Sequence, residues 1–310
     1  MLKAMNTHDI LKCYAARKRD FQNLSLCRAN FSHADLSGSD FSHANLSSAN
    51  LSHANLSGSR LIWTDLNRAN LCHANLTRVL LLYGTLFWAD LNGADLTEAN
   101  LSSAQLHHAN LESASLRNAN LTEAYLEQAR SMGVDLSSAN LFKANLKGTD
   151  FTGANFEAAK LSQTNWEGAI LNDASLRNVD LAEAQLHETM LRGADLTGAD
   201  LVEADFSHAD LTGAILEETS LELGILANAD LTQANLSQAS LLKVNLEAAV
   251  LSDVNFEGAD LRYANFSNAC LAGVNLSHAR VKGALFTDTV GLTPTQKQWL
   301  KTHGALNLPG

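Results

Sequence analysis

A large apolar side chain stands at every fifth residue from Phe21 to Phe286, and this frame constrains the fold more than any other feature of the chain. It has 54 positions with no insertion or deletion, and Ser131 alone among them is not a large apolar residue. A small or β-branched residue stands at every fifth place from Ala29 to Thr289, two residues before each frame position from Phe31 onward. A period of five matches neither the 3.6 of a helix nor the alternation of a strand. A long helix would smear the apolar set around its circumference, and a flat strand would split it between two faces. The unit must therefore turn a corner every five residues, with two side chains inward and three toward water. Stacking such turns gives a tube with a continuous apolar core, each layer touching only its neighbours. The period alone permits three or four sides.

Runs such as Ala29-Asn30-Phe31-Ser32-His33, Ala44-Asn45-Leu46-Ser47-Ser48 and Ala94-Asp95-Leu96-Thr97-Glu98 resemble the A(D/N)LXX unit of pentapeptide-repeat proteins. The resemblance covers residues 21 to about 290. It implies an all-β solenoid, a right-handed quadrilateral parallel β-helix with four units and 20 residues per coil. On that basis the frame makes about thirteen coils, and layers spaced by ~4.8 Å give a rod roughly 65 Å long. The expected organisation is a capping helix over 1–20, the β-helix over 21–290, and a capping helix with tail over 291–310. The unbroken frame predicts one elongated domain within the 310 residues.

Cys13, Cys27, Cys72 and Cys270 form no CxxC pair, and no disulfide framework is expected. The first residues lack the apolar stretch of a signal peptide, and no window holds the ~18 apolar residues of a membrane span. The expected place is the cytoplasm, with no membrane partner.

At the start, Thr7 as N-cap and Asp9 in the first turn predict a helix over 7–19. Ile10, Leu11 and Tyr14 would form the face laid over the open first coil, and Arg17, Lys18 and Arg19 a solvated C-terminal end. The stretch Tyr14 to Phe21 resembles the lead-in of some cyanobacterial members of the family, one of them associated with heterocyst differentiation. At the other end, Thr293-Pro294-Thr295-Gln296 is a capping-box helix start. Trp299 and Leu300 supply its apolar face, and Gly304 suits its C-cap. This helix would cover the last coil. In some family members a terminal helix also makes a dimer contact, so the resemblance leaves a monomer or a homodimer through the C-terminal end.

Two departures from the polar outward pattern are candidate binding surfaces. Between 61 and 88 the outward positions hold Ile62, Trp63, Leu80, Leu82, Tyr83, Phe87 and Trp88. At 20 residues per coil these form one apolar and aromatic patch, the kind that marks a protein contact. His43 would stack below Trp63, and Arg68 below Trp88 as a cation–π partner. The second departure is electrical. Residues 1–150 hold 13 acidic and 13 basic residues, whereas residues 151–310 hold 20 and 9, so the whole net charge of −11 lies in the second half. Asp180, Glu183, Asp200, Glu203 and Glu222 would share one side, with Glu217 and Glu218 adjoining. Such a field steers basic partners and repels nucleic acid, so no direct nucleic-acid binding is expected.

Two further places break the pattern. Ser131 would underfill its layer, and the expectation is a bulge or bend near 131–134 with Met132 swung inward beside Gly133. His33, His53 and His73 are 20 residues apart and would stack, but a linear stack lacks the converging geometry of a metal site. No phosphate loop, dinucleotide fingerprint or HExxH is present. A regular tube also offers no cleft, so no enzymatic activity, cofactor or metal is expected. What remains is a non-enzymatic module that displays its surface to a protein partner. The family resemblance adds two alternatives: a DNA mimic that binds gyrase through its acidic segment, and a regulator of cell differentiation acting through protein binding.

Overall fold

The five-residue units share one turn in the computed structural model, which describes residues 3–309. The carbonyl of the core residue accepts from the N–H three residues on, as in Leu26 to Ala29 at 3.0 Å and Leu101 to Ala104 at 2.9 Å. The third residue of each turn has a positive φ, as a type II turn requires. At 41 of the 54 turns this residue is not glycine, so its side chain must tolerate the left-handed region, which β-branched residues do not. The sequence complies: no Val, Ile or Thr occupies that position anywhere in the frame.

The Asn or Asp that precedes so many core residues has a local task. Its Oδ1 accepts the N–H two residues on, as from Ser32 to Asn30 at 3.1 Å and from Thr232 to Asp230 at 2.9 Å. The Thr232 hydroxyl donates to the same Asp230 oxygen at 2.6 Å. These Asx turns hold each corner in shape. Parallel bridges then join residues 20 apart, for example Asn30↔Asn50, Asp35↔Asn55, Asp40↔Arg60 and Asn45↔Asp65. Four units therefore make a coil, and the three-sided tube is excluded.

The chain divides into two compact units, Met1–Asn155 and Phe156–Gly310. In the first, strand β1 (Lys3–Ala4) pairs in parallel with β2 (Leu24–Ser25), a contact the sequence did not signal. Helix α1 spans Thr7–Ala15, shorter than the 7–19 expected. Its N-cap is Asn6 rather than Thr7, because the Asn6 side chain accepts from the Asp9 N–H at 2.9 Å. Ile10 is buried, but Leu11 points to solvent, so the covering face is narrower than expected. Tyr14 instead donates its hydroxyl to the Ser37 carbonyl at 3.2 Å, with the Arg19 guanidinium 3.6 Å above its ring.

Met132 does not swing inward. It is 39% exposed, while Ser131 is fully buried. The ladder runs through without a bulge, with Ser131 N–H to Asp150 O at 2.8 Å and Gly133 N–H to Thr152 O at 3.0 Å. The reason is the backbone: a slip of one residue would break every bridge in the coil, which costs more than one small core residue. One coil on, the same column holds a buried Phe151 instead of leucine. The Ser131 hydroxyl has no partner. Ser131→Ala is therefore expected to raise stability by about 1 kcal/mol, since a buried unsatisfied hydroxyl costs that much. A higher denaturation midpoint by circular dichroism is the check.

In the second unit, α2 (Pro294–Thr302) begins with the expected capping box of Thr293 and Gln296. Its C-cap is His303, and Gly304 follows with φ 82°. Leu300 is buried against the last coil, and Leu285 bridges Leu306 beyond the helix. Gln296 Nε2 donates to the Val274 carbonyl at 2.9 Å, taking the place of a further coil. Close by, the buried carboxylate of Asp260 receives Arg262 at 2.7 Å and Arg280 at 2.8 Å. The Arg262 hydrogen bonds, opposed by burial and helped by Arg280, hold the Asp260 carboxyl below its ordinary value of 3.8. A lowered carboxyl stabilises the fold above the unfolded value, and that contribution is lost as pH falls through the folded one. Thermal midpoints measured against pH should thus fall in strong acid, and Asp260→Asn should be less stable at neutral pH with a flatter acid limb.

Candidate functional site

The register of 20 fixes which outward side chains of the first unit meet. The turns 62–63 and 82–83 stack at one corner, and the turns 67–68, 87–88 and 107–108 stack at the next. The side between them carries Asp65, Thr85, Gln105 and Tyr125, joined by bridges in that order. Trp63 and Tyr83 stack with ring centroids 4.5 Å apart and planes at 12°. Trp88 is stacked by His108 at 4.1 Å, and Phe87 by His107 at 4.8 Å. His107 also lies 5.9 Å from the Tyr125 ring. Trp63 and Trp88 are 55% and 59% exposed, while Ile62, Leu82 and Phe87 are half-buried.

Six of the seven patch residues read from the sequence thus lie on one side and its two bounding corners. Leu80 does not: it bridges Arg60 and Asn100 on the adjoining side, half-buried. The expected neighbours also differ. His43 makes no ring contact with Trp63, and the ring over Trp88 belongs to His108, not to a cation from Arg68. His107, His108, Tyr125 and Phe142 were missed. All four were within reach of the same arithmetic, since 87, 88, 105 and 82 advance by whole coils to 107, 108, 125 and 142.

His107 Nε2 sits 3.0 Å from Glu127 Oε2, and Asn145 donates to Glu127 Oε1 at 2.6 Å. One of the few acids on this side is therefore engaged within the chain.

In the second unit, the seven acidic residues collect on one side and its corners. Asp180 bridges Asp200, and Glu203 N–H donates to the Glu222 carbonyl at 3.0 Å. Glu183, Glu203 and Glu222 lie at one bounding corner, and Glu217 and Glu218 at the other. Several carboxylates serve their own chain. Asp180 and Asp200 each accept the N–H two residues on, both at 3.2 Å. Asp180 also accepts Ser162 at 2.7 Å, Glu183 accepts Gln163 at 3.0 Å, and Glu222 accepts Ser240 at 3.0 Å.

The remaining clusters do not converge. His33, His53 and His73 stack face to face at 4.8 and 5.2 Å. The stack ends at Gly93, where a Cβ would meet His73 Nδ1 at 2.5 Å with the ring as it stands. Among the described residues no group of three or more His, Cys, Asp or Glu is placed to hold a metal ion. The Cys72 thiol is pushed up to about 11 by burial and the neighbouring Asp90, the reverse of an activated nucleophile. A cavity of about 280 Å³ lies between α2 and the last coil, lined by Val274, Leu276, Gln296 and Trp299 among others. It holds no titratable side chain. No helix among the described residues is long and apolar enough to cross a membrane.

Comparison with known proteins agrees with this geometry. The family model described as pentapeptide repeats matches in eight copies, over 25–61, 54–81, 85–118, 114–153, 149–186, 180–217, 216–253 and 249–288. The solved structure of HetL, a pentapeptide repeat protein involved in heterocyst differentiation regulation in the cyanobacterium Nostoc sp. strain PCC 7120, is 31% identical. The match covers 91% of this chain and 97% of that one, with a TM-score of 0.25. A second protein of Nostoc PCC 7120, alr5209, is 37% identical over 34% of this chain and 84% of its own, with a TM-score of 0.32. QnrB1, a plasmid-mediated fluoroquinolone resistance protein, is 21% identical over 62% of this chain and 94% of its own, with a TM-score of 0.40. No curated protein sequence matches the chain.

Proposed function

The chain belongs to the pentapeptide-repeat family, and we propose that it is a non-enzymatic module that binds a protein partner through the aromatic side of its first unit. One observation carries this reading. Outside the core, the repeats of that unit hold six Trp, Tyr and Phe side chains, Trp63, Tyr83, Phe87, Trp88, Tyr125 and Phe142, and all six lie on one of its four sides with its bounding corners. A structural ladder would have no reason to favour one side, because each side has the same backbone. Exposed Trp and Tyr grouped in this way are the usual anchors of protein contacts.

A regulatory role like the one described for HetL would act through the same surface. The DNA-mimic reading draws on the acidic side of the second unit, but that charge is confined to residues 180–230, which hold 12 acids against Arg192 alone. We therefore favour the aromatic side, and assign the acidic side to solubility and to keeping nucleic acid away.

The experiment is a comparison of partner recovery by the intact chain and by Trp63→Ser/Trp88→Ser. Serine fits both sites without strain, since Ser48 and Ser103 hold the same left-handed turn position. Loss of recovery with an unchanged thermal midpoint supports the proposal, and equal recovery contradicts it.

A further inference from the structure

The aromatic side also selects the charge of what it binds, an inference that rests on the protein-binding reading above. Each of its rings gives one face to a neighbour in the adjoining coil. Trp63 with Tyr83, Phe87 with His107 and Trp88 with His108 are stacked with planes within 12°. Stacking takes one electron-rich face of each ring and turns the ring edges outward. The edge is the positive part of the aromatic quadrupole. The Trp63 and Trp88 indoles add N–H groups, which can only donate, and Tyr83 adds a hydroxyl.

The fixed charges point the same way. Arg28 and Arg68 stand in the same turn column as Trp88, two coils apart, and among the described residues neither is in an ion pair. Lys143 sits 5.1 Å from the Phe142 ring. The acids of this side and its corners are Asp65, Glu123 and Glu127. Asp65 accepts the Asn67 N–H at 3.0 Å, and Glu127 is taken by His107 and Asn145. Up to residue 108, where the stacked rings lie, this side and its corners hold Arg28 and Arg68 against the single acid Asp65, while Glu123, Glu127, Lys143 and Lys147 lie further along.

We infer that the occupant is an acidic segment of a partner protein that also carries aliphatic side chains. Its carboxylates meet Arg28, Arg68 and the indole N–H groups. Its aliphatic groups lie on Ile62 and Leu82.

The test titrates the full chain with three short synthetic peptides in which Leu and Gly alternate with Glu, Gln or Lys, and with an oligodeoxythymidylate. Binding is followed by tryptophan fluorescence, which reports the exposed Trp63 and Trp88. The Glu peptide should bind most tightly and weaken as salt rises. Arg28→Ser/Arg68→Ser, both at turns that accept serine, should weaken it about tenfold or more, through loss of charge-assisted hydrogen bonds. No binding of the Glu peptide, equal or tighter binding of the Lys peptide or the oligonucleotide, or indifference to the arginine pair overturns the inference. If a Gln or Lys peptide binds best and Trp63→Ser/Trp88→Ser removes it, the acidic specificity fails while protein binding by this side stands. If partner recovery also ignores the tryptophan pair, the protein-binding reading itself fails.

Discussion

Replacing Trp166 with alanine is expected to lower the stability of the second unit by about 3–5 kcal/mol, the range for emptying a large buried aromatic site. Trp166 takes a core position that is leucine in most units, and it is fully buried. It meets Phe156 edge to face at 5.4 Å. A buried indole must also place its N–H, and here Nε1 donates to the Thr164 hydroxyl at 2.6 Å, while that hydroxyl donates on to the Leu161 carbonyl. The small position two residues before the core residue is alanine in most units; threonine here supplies the acceptor for the indole N–H. Alanine at 166 leaves a cavity and strips the hydroxyl of its donor. Trp166→Leu, which restores the common residue, should cost clearly less, because the remaining gap is smaller. Denaturant midpoints by circular dichroism for the two variants check both the size and the order.

The second large effect falls on binding. Trp63→Ser/Trp88→Ser should weaken partner affinity by at least about a hundredfold, since truncating a central aromatic anchor costs ~2 kcal/mol or more and every ~1.4 kcal/mol is a factor of ten. The two rings stand at neighbouring corners of one side, so a partner broad enough to span the side loses both anchors. Their ladder partners, Tyr83 and His108, also lose the ring they stack on. The fold itself should hold, because neither tryptophan is in the core and the backbone at each turn suits serine. Isothermal titration with the recovered partner measures the loss.

The frame of five carried most of the architecture into the sequence. Inward positions, turns and the terminal capping box at Thr293 are all local patterns, and local patterns are legible in one dimension. The failures are instructive because each depends on a contest between energies. Met132 was expected inward because a serine in a core position looks costly, but the price of a register slip is paid by a whole coil and that of a small residue by one layer. Thr7 looked like a helix cap as good as Asn6, and only the turn geometry decides between neighbours. The candidate site was half legible. The run from Ile62 to Trp88 stood out as apolar residues where polar ones belong. His107, His108, Tyr125 and Phe142 did not stand out in sequence, since single histidines and aromatics occur elsewhere on the surface. They become part of the site only when placed 20 or more residues above the others. Leu80 failed for the converse reason: close in sequence, it lies around a corner.

Hydroxyl-radical footprinting of the complex with the recovered partner tests the central claim most directly, because it reports side-chain exposure residue by residue. Tyr83, Trp63 and Trp88 are predicted to be protected on binding, with the carboxylate side around Asp200, Glu203 and Glu222 unchanged. Protection confined to that carboxylate side, with the two tryptophans oxidised as in the free chain, would contradict the account.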